Sequence, residues 1–189
     1  MFASRILQMK VVRVVLSAIP ILETPRLMLR GHRREDFDAV AAMWGDMEVA
    51  RHISGKPSTR EESWARMLRY GGLWNLVGFG YWAVEEKASG RFAGEVGLGV
   101  FQREIEPSYG DAPEAGWVLS PWCHGKGYAT EAMRAALAWG DANLRRETVC
   151  IVAPENTASI RIAEKCGYVK YAEGTYKTWP TWFYRREAR

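Results

Sequence analysis

Residues that build metal and disulfide frameworks are scarce in this chain, with three cysteines and three histidines among 189 residues. Cys123, Cys150 and Cys166 have no CxxC spacing, and His32, His52 and His124 form no pair at helical spacing. Neither a structural metal nor a disulfide scaffold is therefore expected. Cys150, inside an apolar run, reads as a small buried hydrophobe, and Cys166 beside Gly167 as a helix-end residue. This use of cysteine points to a reducing, cytoplasmic setting. Long apolar runs are missing too. The stretch from Val14 to Leu22 follows Arg5, Lys10 and Arg13 in the outline of a signal peptide, but it is too short to span a bilayer and no small-x-small cleavage site follows. No membrane partner is expected. Residues 1–21 read as an N-terminal extension, with Met9 as an alternative start or the segment as an arm at a subunit interface. They precede a single domain at residues 22–189, a monomer or homodimer, large enough to bury a real core. An excess of one charge is also absent: the formal net charge is +4, and Lys and Arg are interspersed with Asp and Glu. Nucleic acid is not an expected partner.

What is present is a stretch that reads Cys-His-Gly-Lys-Gly-Tyr-Ala-Thr-Glu from Cys123 to Glu131, with the apolar run Ala115-Gly-Trp-Val-Leu119 before it and a helical pattern after it. Strand, glycine-bearing turn and helix in that order expose backbone N–H groups at a helix N-terminus, where unpaired donors and the positive dipole end attract phosphate. Two known phosphate loops do not fit. Lys126 is followed by Gly127 instead of Ser or Thr, and no glycine stands at the upstream position of a Walker A loop. The dinucleotide fingerprint lacks its third glycine and a strand bearing an acidic residue about 20 positions later. A second patterned segment lies about 30 residues further on: Asn156-Thr-Ala-Ser159-Ile-Arg-Ile-Ala-Glu-Lys165-Cys-Gly167-Tyr168. Pro154 precedes it, Asn156 is a good helix N-cap, and Gly167 suits the left-handed position after a helix.

Hydrophobic periodicity places the remaining elements. A strand is expected over residues 26–30, and a helix over 34–44 with Phe37, Val40, Ala41 and Trp44 on one face. A second helix starts near Arg60, capped by Thr59 with Glu62 in the capping-box position, and is weakened or ended at Gly71-Gly72. Residues 53–58 form a loop between these helices. Strands follow at 79–85 and 91–101, the second with Phe92, Val96, Leu98 and Val100 on one side and Glu95 on the other. The strand at 114–119 enters the glycine turn. The helix after it carries Ala129, Ala132, Met133, Ala136 and Leu137 as one stripe. A strand at 148–152, the Asn156 helix and strands at 168–171 and 179–185 complete the chain.

The two motifs resemble those of the GNAT acetyltransferase superfamily. His124, Gly127 and Ala129 match its acyl-CoA loop, Gln/Arg-x-x-Gly-x-Gly/Ala, with histidine at the first position as a departure. The Asn156–Tyr168 segment is similar to its Asn-x-x-Ser/Ala, helix, Lys-x-Gly-Phe/Tyr motif. Leu-Glu-Thr-Pro-Arg-Leu-Met-Leu-Arg from Leu22 and Glu-Ala-Gly-Trp-Val-Leu from Glu114 resemble the branch that acetylates the N-terminal amines of ribosomal proteins. The resemblance covers nearly the whole chain from Leu22. It implies an α/β GNAT fold: a mixed, mostly antiparallel sheet flanked by helices, with splayed strands at the acyl-CoA site.

The resemblance also implies acetyl-CoA as cosubstrate and a primary amine, on a peptide N-terminus or a small molecule, as acceptor. Backbone groups of Trp117, Val118 and Leu119 would meet pantetheine. His124, Gly125, Lys126, Gly127, Tyr128, Ala129 and Thr130 would form the pyrophosphate loop, and Asn156 and Ser159 would touch the pantetheine or phosphate arm. Direct attack needs a neutral amine and a proton acceptor, for which Glu114 is ranked first and Glu95 second. Many relatives place a tyrosine seven residues after the motif asparagine to protonate the thiolate. Here that position is Ala163, leaving Ser159, another tyrosine or solvent as the acid. The rival reading is a catalytically silent acyl-CoA-binding or regulatory module. The aromatics from Tyr171 to Tyr184 read as hairpin packing or, at the turn from Tyr176 to Trp179, as a wall of the acceptor site.

Overall fold

The computed structural model describes residues 19–189, so the expected N-terminal extension lies outside the described residues except for its last three positions. Ile19 already packs against the core, and the Trp82 indole donates to the Pro20 carbonyl at 2.8 Å. The fold is α/β. Strands β1 (Leu22–Glu23) and β2 (Leu27–Arg30) lead to α1 (Phe37–Trp44), α2 (Met47–Ala50) and α3 (Arg60–Val77). Strands β3 (Tyr81–Glu86), β4 (Phe92–Gly99) and β5 (Glu114–Leu119) precede α4 (Tyr128–Asn143), followed by β6 (Thr148–Val152), α5 (Thr157–Lys165), β7 (Val169–Tyr176) and β8 (Trp179–Arg186). The strands form one sheet in the order β1-β2-β3-β4-β5-β6-β8-β7. Every neighbouring pair is antiparallel except β5 and β6, which run parallel and share the single register position Glu114↔Val149. Beyond it they part. No helix among the described residues is long and apolar enough to cross a membrane.

Two hydrophobic clusters fill the two faces of the sheet. Trp82, Val84, Val96 and Leu98 pack with Met133, Ala136 and Leu137 of α4, while Ala83 and Phe92 pack with Val40, Met43 and Trp44 of α1 and Met67 of α3. Phe92 thus lies opposite Val96 and Leu98, correcting the expectation that all three share a side. The cause is a bulge: Val84 pairs with Gly94 and Glu85 with Phe92, so Ala93 is an extra residue and the alternation inverts across it. A second correction concerns α3, which continues through Gly71-Gly72 to Val77 and stops at Gly78, whose φ is +81°. Each glycine costs a helix about 1 kcal/mol. Burial of Tyr70 and Leu73 on the face that also carries Ser63 and Met67 outweighs this, at about 1.5–3 kcal/mol for each large apolar side chain. Thr59 and Glu62 form the expected capping box. The short helix α2 was not legible in the periodicity. It is capped by Asp46, whose side chain accepts from the Glu48 N–H.

Glycines Gly97 and Gly116 answer a different need. They are paired neighbours on β4 and β5, and the ring of Tyr81 on β3 lies flat across them. A Cβ at Gly97 would stand 2.7 Å from the Tyr81 Cγ, and one at Gly116 2.0 Å from its hydroxyl oxygen. Tyr70 of α3 stacks on the outer side of the ring with centroids 4.2 Å apart.

Polar anchors tie helices to this sheet. Arg30 on β2 makes a buried two-point pair with Asp36, at 2.7 and 2.8 Å, and bonds Glu85 at 2.9 Å. Asp36 also accepts from the Arg33 N–H at the turn into α1. Burial alone would raise the Asp36 carboxyl pKa, but the Arg30 and Arg33 hydrogen bonds and the Arg30 charge outweigh it and hold it below the usual carboxylate range. Because the folded pKa is the lower one, this contribution to stability is present above the unfolded aspartate pKa and is lost as pH falls through the folded value. Asp36→Asn should therefore lower stability at neutral pH by about 3 kcal/mol, typical of breaking a buried pair. In chemical denaturation the variant should lose less further stability than the parent between neutral pH and pH 3.

Candidate active site

The site grows from the parting of β5 and β6. A parallel ladder that ends after one position leaves the β5 edge without a strand partner toward Leu119, and buried backbone groups demand partners. At the end of β5 a short 3-10 turn, Pro121–Cys123, feeds the glycine turn. Gly125 and Gly127 both have φ of +77°, the left-handed conformation that favours glycine. Gly127 is the N-cap of α4 and has no side chain to cap with. The first intrahelical acceptor visible at this end is Gly127 itself, whose carbonyl takes the Glu131 N–H at 3.1 Å. The N–H groups of Tyr128, Ala129 and Thr130 are therefore left to an outside acceptor. Around Gly125 nothing lies within 4 Å of a built Cβ. Open space, unpaired donors and the positive end of a helix of 16 residues make a cradle that fits a pyrophosphate.

One member of this cradle escaped the sequence reading. Arg26, from the loop between β1 and β2, donates to the Lys126 carbonyl at 2.9 Å and to Glu131 on the first turn of α4 at 2.7 Å. Thr24 adds a 2.6 Å bond to the same glutamate. Burial would raise the Glu131 pKa, but the Thr24 and Arg26 bonds outweigh it and lower it. The only sequence sign was a Thr-Pro-Arg run about 100 residues upstream, and no periodicity links it to the turn. Lys126 sits over the Trp122 ring at 4.7 Å and 3.9 Å from Glu86, on the rim. His124 turns back on its own strand: its Nε2 donates to the Leu119 carbonyl at 2.8 Å, and Nδ1 lies 3.2 Å from Glu48. It fastens the turn to β5 and α2.

Across the fork, Asn156 caps α5 by accepting the Ser159 N–H at 3.1 Å. The Trp117 indole donates to the Ser159 hydroxyl at 3.2 Å, joining β5 to α5 on the helix α4 side of the sheet. Ala163, at the position where a tyrosine was expected, is fully buried in the core.

The opposite face of β4 and β5 carries both carboxylates. Glu95 pairs with Val118 and Glu114 with Gly99, so they share a face, with the Gly97–Gly116 pair midway between them. Each lies two residues from that pair, about 7 Å along the strands. Glu95 is fully buried, with its two oxygens accepting from His32 Nε2 and Trp44 Nε1, both at 2.8 Å. Glu114 is gripped harder. Arg103 reaches it with Nε at 2.5 Å and a second nitrogen at 2.7 Å, and the Tyr109 hydroxyl donates at 2.5 Å. Burial opposes the Arg103 charge, yet the Glu114 hydrogen bonds and charge prevail and raise its pKa far beyond the ordinary value. Burial and the Glu114 charge likewise push the Tyr109 phenol up. Arg103 also donates to the Tyr176 hydroxyl at 2.7 Å, which brings the β7–β8 turn to this face. A concavity of about 410 Å³ bounded by Arg134, Asp141, Lys165 and Arg186 shares none of these residues.

Residues 26–169 match the family model described as Acetyltransferase (GNAT) domain. The chain belongs to the GNAT acetyltransferase family. Among curated relatives of this GNAT enzyme is the Bacillus subtilis (strain 168) protein YkkB, 32% identical over 176 residues, which cover 88% of this chain and 95% of the relative. An acetyltransferase structure from Agrobacterium tumefaciens str. C58 matches with a TM-score of 0.78 and 26% identity, over 90% of this chain and 96% of that one. RimL, a ribosomal L7/L12 alpha-N-protein acetyltransferase solved with coenzyme A, shares the fold at a TM-score of 0.72 and 14% identity, over 89% of this chain and 98% of that one.

If the Arg26 latch pre-forms the cradle, Arg26→Ala should weaken coenzyme A binding by about fivefold, equivalent to ~1 kcal/mol. Calorimetric titration would measure this, with circular dichroism confirming an unchanged fold. Gly127→Val places a β-branched residue at φ +77° and should weaken binding further.

Proposed function

We propose that this GNAT enzyme transfers the acetyl group of acetyl-CoA to a primary amine, on a peptide N-terminus or a small molecule, by direct attack. The observation that carries the reading is the fork between β5 and β6 opening into the glycine turn, with two buried carboxylates beside it, Glu114 at its closed end and Glu95 opposite Val118. Backbone groups of Trp117 and Leu119 face the unpaired edge and would bond the pantetheine arm, whereas those of Val118 point to Glu95 on β4. The N–H groups at the start of α4 would hold the pyrophosphate, and Asn156 and Ser159 would border the arm from α5. Direct transfer, without an acyl-enzyme, forms the C–N bond, breaks the C–S bond, moves the surplus amine proton to a carboxylate and releases coenzyme A. The reading places the enzyme in the cytoplasm and needs no metal.

For the proton acceptor, hydrogen-bond occupancy favours Glu95 over Glu114, reversing the order expected from sequence. Arg103 cannot give up its proton, and with Tyr109 it fills three of roughly four acceptor positions of the Glu114 carboxylate. Glu95 accepts two bonds, one from an imidazole that can itself exchange a proton. Glu114 then serves as the counter-charge that holds Arg103 and the Tyr176 turn in place. One observation supports the silent-module reading, namely Ala163 where an acid tyrosine was expected, and that reading requires tight coenzyme A binding without thiol release in the presence of amines.

Glu95→Gln should lower turnover by about 10²-fold at neutral pH with little change in acetyl-CoA affinity, and rising pH should restore part of it as free amine accumulates. Glu114→Gln should instead strand the Arg103 charge and cost about 3 kcal/mol of stability. Thiol release with a panel of peptides and polyamines, alongside denaturant titration, reads both. A stable Glu114→Gln enzyme without turnover, beside a near-normal Glu95→Gln, would return the role to Glu114.

A further inference from the structure

The Tyr81 hydroxyl, which lies against Gly116 beside the fork, makes no hydrogen bond to any described residue. Its ring is held between the Gly97–Gly116 floor and the Tyr70 ring, which stacks within 4° of parallel. Tyr81 is 4% exposed, so the phenol has little freedom to swing away. No fully enclosed side-chain polar atom among the described residues lacks a partner, so this unbonded oxygen borders space that water reaches. A phenol that is almost buried, with its O–H unused by the protein, is a donor waiting for an acceptor from outside the chain.

Its position says which acceptor. The oxygen stands against Gly116, two residues past the Glu114↔Val149 pair at which β5 and β6 are last joined. An arm anchored by its phosphates in the turn after Leu119 and laid back along β5 brings its acyl end toward the closed end of the fork, where Gly116 lies. Glu95 and Glu114 flank this point on the same face. We propose that the Tyr81 hydroxyl donates a hydrogen bond to the thioester carbonyl oxygen of bound acetyl-CoA, and so to the oxyanion that forms as the amine attacks. This rests on the acetyl-transfer reading above and adds a residue that neither motif contains.

Tyr81 keeps its proton throughout. When the amine adds to the carbonyl carbon, the π electron pair moves to the oxygen and the O–H bond to it strengthens. When the C–S bond breaks, the pair returns and the thiolate leaves. Burial first, then the nearby Tyr70 and Glu114, raises the phenol well above its ordinary pKa. Such a group is poorly suited to protonate a thiolate and well suited to remain a neutral donor beside a developing oxyanion. The two glycines follow from the same geometry, since any side chain at Gly116 would occupy the place of the hydroxyl.

The test uses acetyl-CoA carrying ¹³C at the thioester carbonyl, bound to the full chain and observed by isotope-edited infrared difference spectroscopy. The parent should shift the carbonyl band to lower frequency than in water. Tyr81→Phe, which keeps the ring on its glycine floor, should lose that downshift and lower kcat by about 10²-fold, with KM for acetyl-CoA changed by less than about threefold. Gly116→Ala, with Tyr81 intact, should lose the same downshift because its Cβ displaces the oxygen. An unchanged carbonyl band in Tyr81→Phe, with kcat within about twofold of the parent, would overturn the role of Tyr81 while leaving acetyl transfer standing. Failure of the parent to bind acetyl-CoA in calorimetric titration would overturn both.

Discussion

The centre of this molecule depends on a break in backbone pairing. Strands β5 and β6 share one ladder position, Glu114↔Val149, and then part. Parallel strands side by side would normally continue to pair, and an unpaired buried edge carries a penalty for every N–H and C=O left without a partner. The penalty is tolerable because the open edge runs straight into a turn whose own donors are also unpaired. On the proposed reading, both sets of groups would meet one elongated ligand with a polar arm and a phosphate end. The Trp117 to Ser159 bond keeps β5 and α5 together across the gap without closing it by backbone pairing.

Opposite this gap the sheet carries a polar face in a setting where isolated charges would be costly. Each carboxylate there is answered by specific donors: Glu95 by His32 and Trp44, Glu114 by Arg103 and Tyr109. The donors come from three separate segments: the loop after β2, the end of α1 and the long connection before β5. The carboxylates therefore register the packing of helices and loops against the sheet. An imidazole and an indole answer one carboxylate and a permanent cation the other, although both residues are glutamates on one face.

Electrostatic latches hold the flanking elements at fixed positions. Arg26 joins the first hairpin to the glycine turn and α4, Arg30 joins β2 to the start of α1, and Arg186 joins β8 to α4 through Asp141 at 2.7 and 2.8 Å. The Arg186 bonds, foremost among the causes, hold Asp141 below the usual carboxylate range, with burial opposing them. Each guanidinium binds through two or more nitrogens, so each fixes orientation as well as distance. A cradle of backbone N–H groups needs this kind of support, because its donors have no side chains with which to adjust.

By itself the sequence determined what local chemistry can encode. The Thr59–Glu62 capping box, the Asn156 cap, the left-handed Gly167, the glycine turn and the family motifs were all legible, because each is written within a few consecutive residues. Periodicity also placed most strands, and it failed where a single extra residue, Ala93, inverted the alternation and put Phe92 on the other face. It stopped α3 at two glycines that the burial of Tyr70 and Leu73 carries the helix through. Only the tertiary structure decided that Arg26 reaches the glycine turn, that Arg103 claims Glu114 while His32 and Trp44 claim Glu95, and that Tyr81 lies across Gly97 to meet Gly116. These contacts join residues that are 11 to 100 positions apart. Their partners are chosen by strand register and helix packing, which no local pattern of residue types records.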